Sequence, residues 1–184
     1  MSQVLVLTGS PSATSRTAAL AGCVATRLRE DGHAVRTVAL RELPPAALLS
    51  ADTGCPQIRD TVQALADADG VVVATPIYKA AYSGLLKTLL DLLPQTALAG
   101  KLVLPLVTGG TPAHVLALDY ALRPVLTALA ADHVLPGRFV LDQHVQLLDD
   151  EVLLDPDAAT ALWTVVDTFA AALQARTVLA GAAR

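Results

Sequence analysis

The chain predicts a doubly wound α/β fold, an open parallel sheet of five strands in the order 2-1-3-4-5 with helices on both faces. Short β-branched runs alternate with longer stretches of helical apolar spacing along its 184 residues. Each run is apolar at consecutive positions, as expected of a strand covered on both faces by crossover helices. Most runs end in Gly, Pro, Ser or Thr, the residues that turn a chain out of a sheet.

Val4-Leu5-Val6-Leu7 is the first strand, followed at once by Thr8-Gly9-Ser10-Pro11. Residues 15–31 form a helix, because Ala18, Leu20, Ala21, Val24 and Leu28 recur near the 3.6-residue period. Gly32 stops it where a left-handed residue is wanted. A second strand spans 35–40 and a second helix 57–68. Val71-Val72-Val73-Ala74 is the third strand, and Pro76 turns the chain out of it. A helix over 83–93 halts before Pro94. The fourth strand, 102–107, leads through Gly109-Gly110 into a helix over 112–131. A fifth strand lies within 133–141, and a last helix spans 156–176. One domain therefore covers 1–176, with 177–184 as a flexible tail. In this flavodoxin-like order the chain reverses direction between strands 1 and 3. The loops after strands 1, 3 and 4 then share one crevice, where open α/β sheets bind ligands.

Composition narrows the function. The chain is 53% apolar but 3% aromatic, with 34 Ala, 33 Leu and 20 Val against two Phe, three Tyr and one Trp. Charged residues are 16% and the net charge is -4, which excludes a disordered chain and a strong nucleic-acid binder. Mean hydropathy is +0.52, yet Asp69, Lys87, Lys101, Pro105 and Asp119 interrupt every stretch that approaches a membrane span. Met1-Ser2-Gln3-Val4 lacks the basic start of a secretory signal, so a cytoplasmic protein is expected. Cys23 and Cys55 are isolated, and His33, His114, His133 and His144 have no metal-ligand spacing; His114 alone follows a site loop. Asp149-Asp150-Glu151 reads as a solvated turn.

The first loop, residues 9–17, carries five hydroxyls and the guanidinium of Arg16 at a helix start. Backbone N–H groups, hydroxyls and an Arg make a cradle for a phosphate monoester. Neither the Gly-Lys-Ser/Thr of a P-loop nor G-x-G-x-x-G is present. A helix cap would need one such residue, not five. The second loop runs Thr75-Pro76-Ile77-Tyr78-Lys79-Ala80-Ala81-Tyr82-Ser83-Gly84, a ledge on which a flat heteroaromatic ring can rest with Lys79 at its polar rim. Thr108-Gly109-Gly110-Thr111 permits close backbone approach and leaves amides for a carbonyl edge. Taken singly, Tyr78, Tyr82 and the glycines read as ordinary packing and turn residues; together across the switch point they read as a site.

With Gly9-Ser10-Pro11, Ser15-Arg16, Lys87 to Leu93 and the segment Leu118-Asp119-Tyr120-Ala121-Leu122-Arg123-Pro124, these loops resemble the NADPH-dependent FMN reductase family. The likeness is greatest to the reductase of two-component alkanesulfonate monooxygenase systems, covers the chain to about residue 140 and weakens beyond. It implies hydride transfer from NADPH or NADH to FMN, held as substrate or weakly bound cofactor and passed reduced to a partner monooxygenase. Ser10, Ser15, Arg16 and Thr17 would hold the FMN phosphate. Pro76, Ile77, Tyr78 and Lys79 would line the ring, with Thr108, Gly109, Gly110 and Thr111 at its pyrimidine edge. No acid or base is required; Lys79, Gly109 and Gly110 would stabilise charge arriving on the ring. Relatives often carry Arg where this chain has Ser12. Pro124 has no N–H for the carbonyl of Tyr120, so a kink or π-bulge is expected over 119–124. The subgroup places a π-helix at this Tyr near a tetramer interface, and a homodimer or homotetramer is expected. Alternative readings are a quinone, azo or metal-ion reductase with permanent FMN, and a flavodoxin-type electron carrier. The modest charge opposes the carrier.

Overall fold

The computed structural model describes residues 1–149 and 151–182, the last six by backbone alone. Strand β1 (Gln3–Thr8) leads to helix α1 (Arg16–Glu30), strand β2 (Ala34–Ala39), the short helix α2 (Pro45–Leu49) and helix α3 (Pro56–Asp67). Strand β3 (Gly70–Tyr78), the two-residue β4 (Ala81–Tyr82), helix α4 (Gly84–Leu90) and strand β5 (Leu102–Gly109) follow. Then come helix α5 (Arg123–Ala128), strands β6 (His133–Val134), β7 (Arg138–Leu141), β8 (Val145–Leu147) and β9 (Val152–Leu154), and helix α6 (Pro156–Ala182). The parallel order is β2-β1-β3-β5-β6, with β7 continuing along β5 and β4 folded antiparallel on β3. The doubly wound class and the path of the five expected strands therefore stand, with the fifth strand in two pieces.

Consecutive apolar residues serve opposite faces, as the pleat requires. Val4, Val6, Val72 and Leu104 pack with Leu20, Leu28, Phe169 and Leu173 beneath α1 and α6. Leu5, Leu7, Val71, Val73 and Val103 pack with Ile58, Leu65, Leu89 and Leu126 under α3, α4 and α5. Each such Leu or Val contributes about 2 kcal/mol of transfer free energy. Ser15 caps α1 by accepting from the Ala18 N–H at 3.1 Å, and Gly32 takes φ +84° just past its end.

Four local expectations are corrected. Pro76 lies inside β3, not at a turn out of it, facing Thr108 across the ladder. On its other side Gly9 N–H still bonds Ala74 O, and Pro76 has no N–H to return to Gly9 O, which accepts from Ser83 Oγ instead. The fifth strand breaks because Leu102 faces His133 but Leu106 faces Arg138, with one extra residue between. After Leu135 N–H bonds Val103 O, the next ladder donor would be residue 105, which is proline. The orphaned Leu135 carbonyl instead accepts from Arg123 Nη2 at 3.4 Å, and Val134 O from Nη1 at 3.1 Å. Gly137 is required beside this break, since a Cβ there would stand 2.3 Å from Pro105 O.

The expected helix over 112–131 is divided: a 3-10 turn Pro112–His114, a π-helical turn Leu118–Leu122 and α5. The Arg123 N–H reaches Leu118 O, one residue beyond α-helical spacing, which is the bulge expected from Pro124. The last helix continues on its backbone to Ala182, past the expected end at 176; within the expected tail, 183 and 184 lie outside the described residues. The β8–β9 hairpin went unpredicted, and of the acidic run near its turn Asp150 lies outside the described residues. No described helix is long and apolar enough to cross a membrane.

His33 is 7% exposed, and among the described residues neither ring nitrogen has a hydrogen-bond partner. Burial lowers its pKa from the ordinary 6.5, opposed by Asp31 and assisted by the chain's amino terminus. A folded-state pKa below the unfolded one favours the neutral ring, so this stability is present above the unfolded value and lost as pH falls through the folded one. Thermal denaturation from about pH 7.5 to 5 should therefore cost the wild type more than His33→Gln.

Candidate active site

At the carboxyl edge of the sheet the loops after β1, β3 and β5 are tied together by buried hydroxyls. Ser83 Oγ donates to Gly9 O at 2.5 Å and accepts from the Leu86 N–H at 3.1 Å, capping α4. The Ser83 N–H donates to Thr75 Oγ1 at 3.1 Å. Gly9 must be glycine, because a Cβ would lie 2.8 Å from Leu86 Cβ. Thr17 and Thr108, 2% and 1% exposed, share a 2.7 Å hydroxyl contact that joins α1 to the end of β5.

These ties frame a cleft of about 200 Å³. Ser10, Ser15, Arg16 and Thr17 line it from the first loop, Pro76, Ile77 and Tyr78 from β3, and Thr108 from β5. Arg16 is anchored by its Nε to Val145 O at 3.1 Å. Ser15 both caps α1 and faces the cleft, so the capping and site readings of that residue hold together. Three lining residues were missed. Ser12 and Thr14 lie in the recognised loop, with the Ser12 N–H on Ser10 Oγ at 3.3 Å. Asp142 follows β7, and its position after the last parallel strand was the available signal.

Lys79, Gly109, Gly110 and Thr111 are not in the cleft wall. Gly109 packs close beneath Phe139, and Thr111 caps the following 3-10 turn. Lys79 is exposed at the tip of the β3–β4 hairpin, where Lys79 and Ala80 take φ of 50° and 62°. Two consecutive left-handed residues make this a two-residue turn of the kind that normally recruits Asn-Gly. The turn sets Tyr78, half exposed, at the mouth of the cleft. Tyr82 pairs with Ile77, and burial holds its phenol above the ordinary pKa against the opposing pull of Lys87. His114 does not line the cleft.

A larger groove of about 690 Å³ lies on α1 beside Trp163, but its Arg27 is engaged by Asp31 and Asp167. That groove lacks the cluster of hydroxyls at a helix start that lines the cleft at the sheet edge. No described group of His, Cys, Asp and Glu could hold a metal ion.

The NADPH-dependent FMN reductase family matches residues 2–146. An FMN reductase (NADPH) of Escherichia coli K12 is 46% identical over 176 residues, covering 96% of this chain and 92% of its own. The NADH-dependent FMN reductase SfnF of Pseudomonas putida is 33% identical, covering 94% and 93%. The apo crystal structure of the NADH:FMN oxidoreductase EMOB superposes with a TM-score of 0.86 at 42% identity, over 94% of this chain and 90% of that one.

Ser83→Ala removes the donor to Gly9 O and the cap of α4 together. Urea denaturation should show a loss of about 1–3 kcal/mol. An unchanged midpoint would mean the loops are held by other contacts.

Proposed function

The chain belongs to the NADPH-dependent FMN reductase family, and on that premise we propose that it reduces FMN with NAD(P)H and supplies the reduced flavin to a partner monooxygenase in sulfonate sulfur assimilation. The reduction of FMN rests on the family and on relatives named as FMN reductases. Relatives of both NADPH and NADH type are similar to it, so either nicotinamide is a candidate donor.

The observation that carries the site reading is the cleft itself, five hydroxyl-bearing residues and Arg16 at the start of α1, opening beside Tyr78. A phosphate monoester fits that donor set, which combines hydroxyls, an anchored guanidinium and the amino end of a helix. Ser10, Ser15 and Arg16 would hold the phosphate. Thr17, whose hydroxyl is spent on Thr108, would act by shaping the wall. When bound, FMN supplies the ring that accepts the hydride. Pro76, Ile77 and Tyr78 would support it, with Lys79, Gly109, Gly110 and Thr111 at its rim. Lys79 and the glycine amides would favour negative charge there.

At about 200 Å³ the cleft is below the roughly 300–1,000 Å³ of pockets that enclose a whole ligand. A cleft that does not enclose the whole flavin supports its exchange over its permanent retention. The exposed Val115 and Leu116, with Tyr120 in the π-helical turn that follows them, are the surface through which a homodimer or homotetramer would form.

One assay tests the reading: oxidation of NADPH and NADH in air, with and without added FMN, beside the absorbance of the purified protein. Colourless protein with a rate that demands added FMN is expected. Yellow protein whose turnover is indifferent to added FMN would overturn flavin supply and favour a reductase with resident FMN.

A further inference from the structure

Asp142 stands apart from the rest of the cleft wall. It follows β7 and lines the same cleft as the hydroxyl loop and Thr108. A Cβ built on Gly110 would lie 3.7 Å from its Oδ2, so the carboxylate stands beside the glycine loop. Among the described residues it has no hydrogen bond or ion pair, although Arg16 lines the same cleft. The guanidinium is tethered elsewhere, to Val145 O.

An ionised carboxylate only accepts hydrogen bonds. Asp142 is partly buried, and a phosphate dianion offers it no proton, so the part of a phosphorylated ligand that suits it is a neutral O–H or N–H donor. The cleft thus combines donors suited to an anion with one acceptor suited to hydroxyls, the complement of a phosphorylated polyol. We propose that Asp142 is a specificity residue that accepts hydrogen bonds from the ribityl hydroxyls of the flavin, an inference that rests on the FMN reading of this site. Asp142 lines the same cleft as Ser10, Ser15 and Arg16, the proposed phosphate end of the flavin, and the polyol is the part of FMN that joins that end to the ring. A flavin also carries a ring N–H, and the test separates the two donors.

Dissociation constants for FMN, riboflavin and lumiflavin, which keeps the ring N–H but lacks the polyol, are measured by flavin fluorescence for wild type, Asp142→Ala and Asp142→Asn. Asp142→Ala should weaken FMN and riboflavin alike by about tenfold and leave lumiflavin unchanged, because a charge-assisted bond to the polyol is lost. Asp142→Asn should recover part of the loss, since its amide oxygen still accepts. Equal weakening of lumiflavin, tighter FMN binding, or no change in any flavin would each overturn the proposal. Failure of the wild type to bind FMN would instead refute the FMN reading and this inference with it. Unchanged lumiflavin binding and melting temperature distinguish a lost ligand contact from a damaged fold.

Discussion

Ser83 sits where two loops and the start of a helix converge, and its polar groups are used there. Its hydroxyl donates to Gly9 O and caps Leu86, while its N–H is taken by Thr75. A buried polar group left unpaired costs more than a made bond returns, so this node is satisfied as a unit. The close approach requires a bare Cα at Gly9 and fixes the first loop against the ledge. Thr17 and Thr108 perform the same service across to β5. The cleft is therefore a by-product of how three strand ends are fastened, and its shape does not depend on a ligand to assemble it.

The parts of the fold readable in the sequence were those set by local repetition. Apolar runs of four to six residues announce buried strands, and Gly32 announces the end of a helix. The π turn was legible too, because Pro124 deprives the helix of a bond whatever surrounds it. The broken fifth strand was not. Its cause is Pro105 on the neighbouring strand, and a missing donor matters only once the partner is known. The β8–β9 hairpin escaped because Leu147, Leu148 and Leu153 are exposed and blur the alternation.

The site divides the same way. Its hydroxyl loop and its Pro76 to Tyr78 ledge are contiguous motifs, and both came through. Thr17 shows the limit of reading a motif by residue type, since its hydroxyl is turned inward to Thr108. Asp142 belongs to no motif and joins the cleft only because β7 runs parallel to β5 and delivers its end to the same edge. The Lys79–Ala80 turn was hidden for a different reason. Nothing in Lys-Ala asks for positive φ, and single residues held there cost on the order of 1–2 kcal/mol each. The strain is borne at the cleft mouth, where the position of Tyr78 depends on it.

The guanidinium of Arg123 has a consequence beyond the strand it repairs. An exposed sheet edge is a row of unpaired carbonyls and amides that can recruit another chain into an intermolecular sheet. On this edge the break at Pro136 leaves pieces of two and four residues, and Arg123 occupies the outward Val134 carbonyl as well as the inward Leu135 one. On the opposite edge Arg29 donates to Val35 O at 3.2 Å. A chain that is 53% apolar thus has, at either end of its sheet, one outward carbonyl already taken by an arginine. Two arginines remote from the proposed site withdraw outward-facing backbone acceptors at both edges of the sheet from pairing with another strand.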